Sequence, residues 1–562
     1  MLVEEKTMSV QHYLKEDVYF EPLFNHWYAW PYLLPPVTGA RHLVNTHRRI
    51  MQSFINNYEL HIMAVKEKGM AGAEFLDGKV EDLPRIKELV NEMDEKCSNL
   101  IKLSNAVKEL DELLRNHTSG ETIDPLYKKV PEPLQGYVEL FLDMEHRASY
   151  RIIEPLLYRS PYYMPSLQSV SFGSFEKVDE RPFVLSTPRL PDENHLQVNV
   201  DFNHPFLDKL FRSREVPLTD QELQELFADK EITGGLKVED LFSSEKSSYN
   251  HQPVTDGVKV TYTGHAGFLV ETKDISIMID PVITSRGDSF AKDVISFNEL
   301  PPKIDYICLT HNHQDHINFE TLLQLRYKTQ QIIVPKNNGG SIADPSIRLM
   351  LKQFGFSVIE IDDLDEIDVP GGKIVGLPFL GEHGDLNIRS KTAWYIELQG
   401  RKMFFGADSS NPDNKLFERL SEHFQDVDIL AIGMECVGAP YTWLYGALHT
   451  KLVSKAIKNS RRLNGSDFEQ AFPMVKQFNA QQVFIYALGL EPWYKYFMGI
   501  EYDDESMQIV ESNKMLEACK EENIPAEALY GRRSVHFDAN PSIDTSKTVD
   551  EAANKHQQAC AV

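Results

Sequence analysis

The chain has 562 residues, 42% hydrophobic and 10% aromatic, enough for two or three packed domains and too apolar for wholesale disorder. Its formal net charge of −26 excludes a general nucleic-acid binder or a ligand of anionic membranes. Cys97, Cys308, Cys436, Cys519 and Cys560 are scattered with no CxxC pair, so a reducing cytoplasm is expected and a disulfide framework is not. No signal peptide is visible, and no apolar run approaches the roughly 18 residues of a membrane span.

In chain order, the first feature is an aromatic cluster, Trp27, Tyr28, Trp30 and Tyr32, read as core rather than as a partner or dimer surface. Arg41, His47, Arg48 and Arg49 follow as a basic cluster on a predicted helix, read as a solvated face. Residues 51–66 and 81–114 carry helical apolar spacing, with Ile86, Leu89, Val90 and Met93 on one face. Within the proline-rich stretch 161–205, residues 196–201 alternate as a short strand does. Residues 215–230 predict an amphipathic helix capped by Thr219, and the polar run 243–248 reads as a linker.

Beyond it the pattern changes. Strands are predicted at 258–262, 268–271, 276–279, 306–309, 331–334, 358–361, 374–378, 394–398, 402–405 and 429–433. Helices fill the gaps near 318–328, 344–354, 412–424 and 449–461. Two β-rich halves with helices outside predict an α/β fold, an αββα sandwich over 251–540. Residues 1–250 form a mixed, largely helical α+β domain in this reading, and the polar tail 541–562 is expected to be disordered.

His311-Asn312-His313-Gln314-Asp315-His316 places four potential metal ligands in six residues, on a predicted strand-to-helix loop. His311 and His313 suit one ion, Asp315 and His316 a second, and two ions roughly 3.5–4 Å apart activate water or dioxygen between them. Three more candidates follow predicted strands or open a predicted helix: Glu382 or His383, Asp408, and His449. Glu382 and His383 compete for one position. Harder oxygen ligands there favour iron or manganese over zinc. Glu435 and Tyr441, between the strand at 429–433 and His449, are expected to line the cavity with Trp443; a capping glutamate and core aromatics are the competing readings.

The order His-x-His-x-Asp-His, a ligand after the next strands, an Asp at a strand end and a distal His resembles the metallo-β-lactamase fold. So do Gly264-His265-Ala266-Gly267 and Ile279-Asp280-Pro281, with Asp280 orienting the site. The long N-terminal domain and the segment Tyr19-Phe20-Glu21-Pro22-Leu23-Phe24 resemble the CmlA-type diiron β-hydroxylases. That resemblance implies two iron ions and O2 as co-substrate. His311, His313 and Glu382 would hold one iron, Asp315, His316 and His449 the other, with Asp408 between. It implies a monooxygenase that hydroxylates the β-carbon of an amino acid tethered as a thioester to a nonribosomal peptide synthetase carrier domain. Electrons would come from an external donor, because no iron–sulfur cysteine cluster or flavin motif is present. A homodimer is implied, with residues 1–250 serving dimerisation and carrier docking. The alternative reading is a dinuclear zinc hydrolase of the same fold.

Overall fold

The structure, a computed structural model, describes residues 10–67, 74–178, 180–287, 289–290, 292–499 and 501–538. The tail expected to be disordered, 541–562, lies outside the described residues.

Residues 258–538 form two seven-stranded sheets packed face to face. The first runs Val358–Ile361, Thr329–Pro335, Ile304–Cys308, Ser276–Ile279, Gly267–Glu271, Val258–Gly264, Arg533–Phe537. The second runs Glu366–Val369, Gly372–Leu377, Ala393–Leu398, Arg401–Phe405, Ile429–Gly433, Val483–Tyr486, Ala526–Ala528. Each begins as an antiparallel meander and becomes parallel midway, at Ser276–Ile279 with Ile304–Cys308 and at Arg401–Phe405 with Ile429–Gly433. The parallel strands are covered on both faces, which is why Ile429–Gly433 and Val483–Tyr486 are unbroken apolar runs.

Between the sheets Phe268 packs on Phe405 and Tyr486, with ring centroids 4.9 and 5.1 Å apart. Helices Asn414–Phe424, Phe468–Gln477 and Met507–Glu521 cover the outside of the second sheet, where Phe478 stacks on Phe404 at 4.9 Å. This is the expected αββα sandwich. Strand Val483–Tyr486 and the edge strands Glu366–Val369, Ala526–Ala528 and Arg533–Phe537 were not among the predicted elements. The helix expected over 449–461 is reduced to Lys455–Ser460, and His449 ends a pair of short helical turns, Thr442–Tyr445 and Gly446–Leu448, instead of opening a helix.

In the N-terminal part, strand Val18–Phe24 pairs antiparallel with Gln168–Ser174 at the centre of a five-stranded sheet. Helices Arg49–Lys66, Leu83–Lys96 and Ser98–Arg115 pack beside it. The single helix expected over 81–114 is broken at buried Cys97, where φ −103 and ψ 19 leave the helical basin. Helix Asp220–Phe227 has the predicted Thr219 cap, with Glu222 closing the capping box. Trp27, Tyr28, Trp30 and Tyr32 are all buried.

The basic cluster is not a solvated face. Arg41 is buried and donates to the carbonyls of Ser104 and His449 at 3.0 and 2.8 Å, and His47 stacks on Trp27 with centroids 3.9 Å apart. Only Arg48 and Arg49 keep to the surface side, Arg48 pairing with Asp94. The helix end turns inward because Arg41 satisfies carbonyls that burial cuts off from water. Among the described residues, no helix is long and apolar enough to cross a membrane.

Candidate metal centre

Every loop that carries a candidate ligand leaves the same rim of the sandwich. The loop after Ile304–Cys308 carries His311 to His316, the one after Gly372–Leu377 carries Glu382, and the one after Arg401–Phe405 carries Asp408. Asp280 follows Ser276–Ile279, and His265 lies in the turn between Val258–Gly264 and Gly267–Glu271. Strand ends on one rim converge, and rigid strands aim the side chains.

The converging atoms form three overlapping groups: His311, His313 and Glu382; His311, His316 and Asp408; and His265, Asp315 and His316. Within each group the ligand atoms lie within 4.8 Å of one another. His311 Nε2 is 3.4 Å from Glu382 Oε2, while His313 Nδ1 contacts Glu382 Oε1 directly. His316 Nε2 is 3.1 Å from Asp408 Oδ2 and 3.8 Å from Asp315 Oδ2. His265 Nε2 stands 3.1 Å from Asp315 Oδ2.

The far nitrogens fix which ring atom faces the centre. Asp280 Oδ2 pairs with His316 Nδ1 at 2.8 Å while its Oδ1 accepts from the Thr310 amide, so His316 presents Nε2. Tyr445 Oη meets His313 Nε2 at 2.7 Å, so His313 presents Nδ1. The Asn318 side chain accepts from the Thr321 amide at 2.7 Å and starts helix Phe319–Leu325 immediately behind the motif.

The backbone around the site is strained. His265, Asp280, Glu382 and Ala407 all have positive φ, at 47, 37, 68 and 49. Left-handed backbone at a non-glycine residue costs about 1–2 kcal/mol and persists where packing holds it. Here it turns each chain sharply at a strand end and points the carboxylate or imidazole back over the rim.

The structure places Glu382 in a ligand group and leaves His383 outside all of them. The His383 Nδ1 lies 3.2 Å from the Gly381 carbonyl, and its ring packs 4.7 Å from His313. His449 is likewise outside. Its ring lies against Tyr441, centroids 5.6 Å apart, and its carbonyl accepts from Arg41. His265, for which the sequence left a hydrogen bond near the metals and plain hairpin packing equally open, is the imidazole that stands beside Asp315.

The His311 Nε2, Glu382 Oε2 and Asp408 Oδ1 atoms are buried with no hydrogen-bond partner. Buried polar atoms are otherwise satisfied in folded proteins. Burial, then the neighbouring His316 and His313, pushes the His311 pKa well down, leaving a neutral imidazole with a free lone pair. Burial raises Glu382 against the pull of His313. Unpartnered ligand atoms on three residues of one cluster fit bound cations, and the mixture of imidazoles with three carboxylates fits iron.

Above the ligands lies an open cleft. Its floor is His313, Gln314, Asp315, Glu382, Asp408 and Glu435; its walls include Phe183 and Leu185 from the N-terminal part and Trp443, Leu444, Leu463, Phe497 and Met498 from the sandwich. Glu435 Oε1 accepts from Tyr502 Oη at 2.7 Å. Burial holds the Glu435 carboxyl well above the usual carboxylate range, the Tyr502 hydrogen bond works against this, and Asp408, Asp315 and Glu382 add to it. Tyr441 is fully buried behind the wall instead, with Arg461 4.4 Å over its ring. No local sequence signal pointed to Tyr445, Tyr502, Phe183 or Met498, which reach the site from distant elements.

A dinuclear ligand set on the rim of an αββα sandwich defines a metallo-β-lactamase-fold metalloenzyme, and residues 276–466 match the beta-lactamase superfamily domain. Residues 13–246 match the diiron non-heme beta-hydroxylase N-terminal domain. Over 533 residues the chain is 36% identical to the 4-amino-L-phenylalanyl-[CmlP-peptidyl-carrier-protein] 3-hydroxylase of Streptomyces venezuelae, covering 93% of this chain and 99% of that protein. The chain belongs to the CmlA-type diiron β-hydroxylase family. The crystal structure of CmlA from Streptomyces venezuelae superposes with a TM-score of 0.86 at 36% identity, over 94% of this chain and all of that one. A UPF0173 metal-dependent hydrolase of Christiangramia forsetii is 29% identical over 163 residues, only 25% of this chain and 66% of that protein. Membership over the full length makes this an oxygenase with two iron ions and dioxygen as co-substrate, and sets aside the zinc-hydrolase alternative.

Proposed function

We propose that the protein hydroxylates the β-carbon of an amino acid held as a thioester on the phosphopantetheine arm of a nonribosomal peptide synthetase carrier domain. The observation that carries this reading is the cleft with six polar residues on its floor and apolar walls drawn from both parts of the chain. Such a cleft admits a tethered side chain to a water-poor centre. His311, His313 and Glu382 hold one iron in this proposal, with Asp408 between the ions. Asp315 and His316 would hold the other; the resemblance implied His449 as their third partner, and the imidazole 3.1 Å from Asp315, that of His265, takes that place in this proposal. Bound iron supplies the oxygen activation. The chain's residues hold, orient and desolvate. Asp280 and Tyr445 fix the imidazole orientations, the apolar walls exclude water, and Glu435 with Tyr502 presents a polar group to the substrate from the floor.

Further parts of the reading are an external electron donor, a homodimer, and a cytoplasmic location consistent with the free cysteines. Residues 1–250 form a unit that carries the dimer contact, and they contribute to carrier docking. The test is direct. Protein grown in iron-rich medium is analysed for metal and by Mössbauer spectroscopy, reduced, and exposed to isotopically heavy dioxygen with aminoacyl-loaded carrier domains. Two irons per chain and a carrier mass raised by one heavy oxygen atom are expected. Two zincs, or a substrate hydrolysed from its carrier, would refute the reading.

A further inference from the structure

In a chain of net charge −26, residues 436–466 contain five lysines and arginines and no aspartate or glutamate. All five, Lys451, Lys455, Lys458, Arg461 and Arg462, fall within twelve residues. This segment is an arm whose two ends are built into the cleft: Leu444 before it and Leu463 after it both line the wall.

The arm is anchored at its base and open at its tip. Arg461 Nε donates to the Gly384 carbonyl at 2.6 Å, two residues beyond Glu382, and Arg462 Nε donates to the Gly438 carbonyl at 2.7 Å. At the tip, helix Lys455–Ser460 buries none of its residues, Lys451 and Lys455 are exposed, and Leu452 is fully exposed. Ile457 and, nearby in sequence, Val437 add exposed apolar surface. A helix without a buried face gains nothing from packing on its own domain. Exposed apolar residues rimmed by one sign of charge are the composition of a protein-binding surface. A basic tip selects an acidic partner, and two such tips repel each other, so this surface is not self-complementary in a two-fold dimer.

We propose that the arm 449–462 is the docking surface for the carrier domain, specifically for an acidic face of that domain beside the attachment point of its arm. The placement is what makes this economical. A partner seated on the tip has its tethered thioester at the wall formed by Leu444 and Leu463, next to the iron ligands. The inference rests on the carrier-bound substrate proposed above and names the surface that receives it. Lys458 already pairs with Glu74 at 2.9 Å, so Lys451, Leu452 and Lys455 are the contact residues.

The experiment uses the full-length iron-loaded protein and each holo carrier domain encoded in the source genome, labelled for fluorescence anisotropy and titrated at several salt concentrations. The variants are K451E/K455E and L452S. For the carrier domain that wild type binds, at least tenfold weaker binding by K451E/K455E is expected, with a shallower salt dependence and unchanged iron content and optical spectrum. The neutral K451Q/K455Q variant should fall between. Equal affinity of wild type and K451E/K455E would overturn the arm as docking surface while leaving the carrier-bound reading intact. A wild type that binds no holo carrier domain would overturn both, whereas binding of anionic vesicles through these same lysines would overturn the arm as a carrier-docking surface alone.

Discussion

Arg181 of the N-terminal part donates to Glu320 at 2.7 Å on helix Phe319–Leu325, the helix that begins immediately behind the HxHxDH loop. The same guanidinium donates to Glu21 at 2.8 Å, and Arg189 donates to Glu21 at 2.7 Å. Tyr28 and Tyr496 each donate to Glu320 at 3.1 Å. All four charged residues are buried. The N-terminal part is therefore wired to the metal loop through a closed ionic network, not merely laid against it.

Breaking that network from one side leaves buried carboxylates without a counter-charge. R181M is expected to destabilise the protein by about 3–5 kcal/mol, the range for removing one partner of a buried pair. It should also lower iron retention, because the helix behind His316 loses its brace. Urea denaturation and metal analysis of the same preparation check this; a variant with wild-type stability and full iron would refute the coupling.

The network also sets an acid limit. Burial alone would raise the Glu21 pKa, but Arg189 and Arg181 outweigh it and hold it at about 2, against 4.5 when unfolded. The unfolded chain therefore takes up a proton first as pH falls. This stabilisation, about 3 kcal/mol, is complete above pH 4.5 and is lost as pH falls from 4.5 towards 2. E21Q removes the titrating group. Its stability should be lower at neutral pH, and its loss between pH 4.5 and 2 smaller by that amount, which thermal melts across the range would show.

Iron stoichiometry discriminates among the candidate ligands. E382A is expected to lose at least one iron per chain, whereas H383A should retain both, since His383 stands outside the ligand groups. H265A should weaken the iron on the Asp315 side, and H449A should leave it in place. Retained iron in H265A together with lost iron in H449A would reverse that assignment.

Tyr502 and Glu435 should matter to turnover and not to metal. Y502F removes the 2.7 Å hydrogen bond to Glu435 without emptying volume on the cleft floor. A roughly 10–100-fold fall in kcat with unchanged iron content and Mössbauer spectrum is expected for Y502F and E435A, in keeping with loss of a positioned polar group. A changed spectrum would instead make Glu435 a ligand.

The strands and the HxHxDH loop were legible because their signals are local. Alternation, apolar runs and a six-residue motif depend on neighbours along the chain, so 258–262, 306–309 and His311 to His316 could be read directly. Strands such as Ala526–Ala528 and Arg533–Phe537 carry little apolar periodicity and exist only because a sheet edge is there to pair with. The same reason explains His265 and His449. At the head of an expected helix, His449 was the distal ligand that the family resemblance implied. In the folded chain that segment is a short turn packed on Arg41 and Tyr441, and the left-handed turn at His265 brings a residue 50 positions before Asp315 to within 3.1 Å of it. The sequence by itself determined the fold class, the HxHxDH loop and the family resemblance, which already favoured Glu382 over His383. Only tertiary structure decided the meeting of His265 with Asp315, the partners Tyr445 and Tyr502, and the Glu21–Arg181–Glu320 network. Those depend on which distant side chains burial forces to satisfy one another.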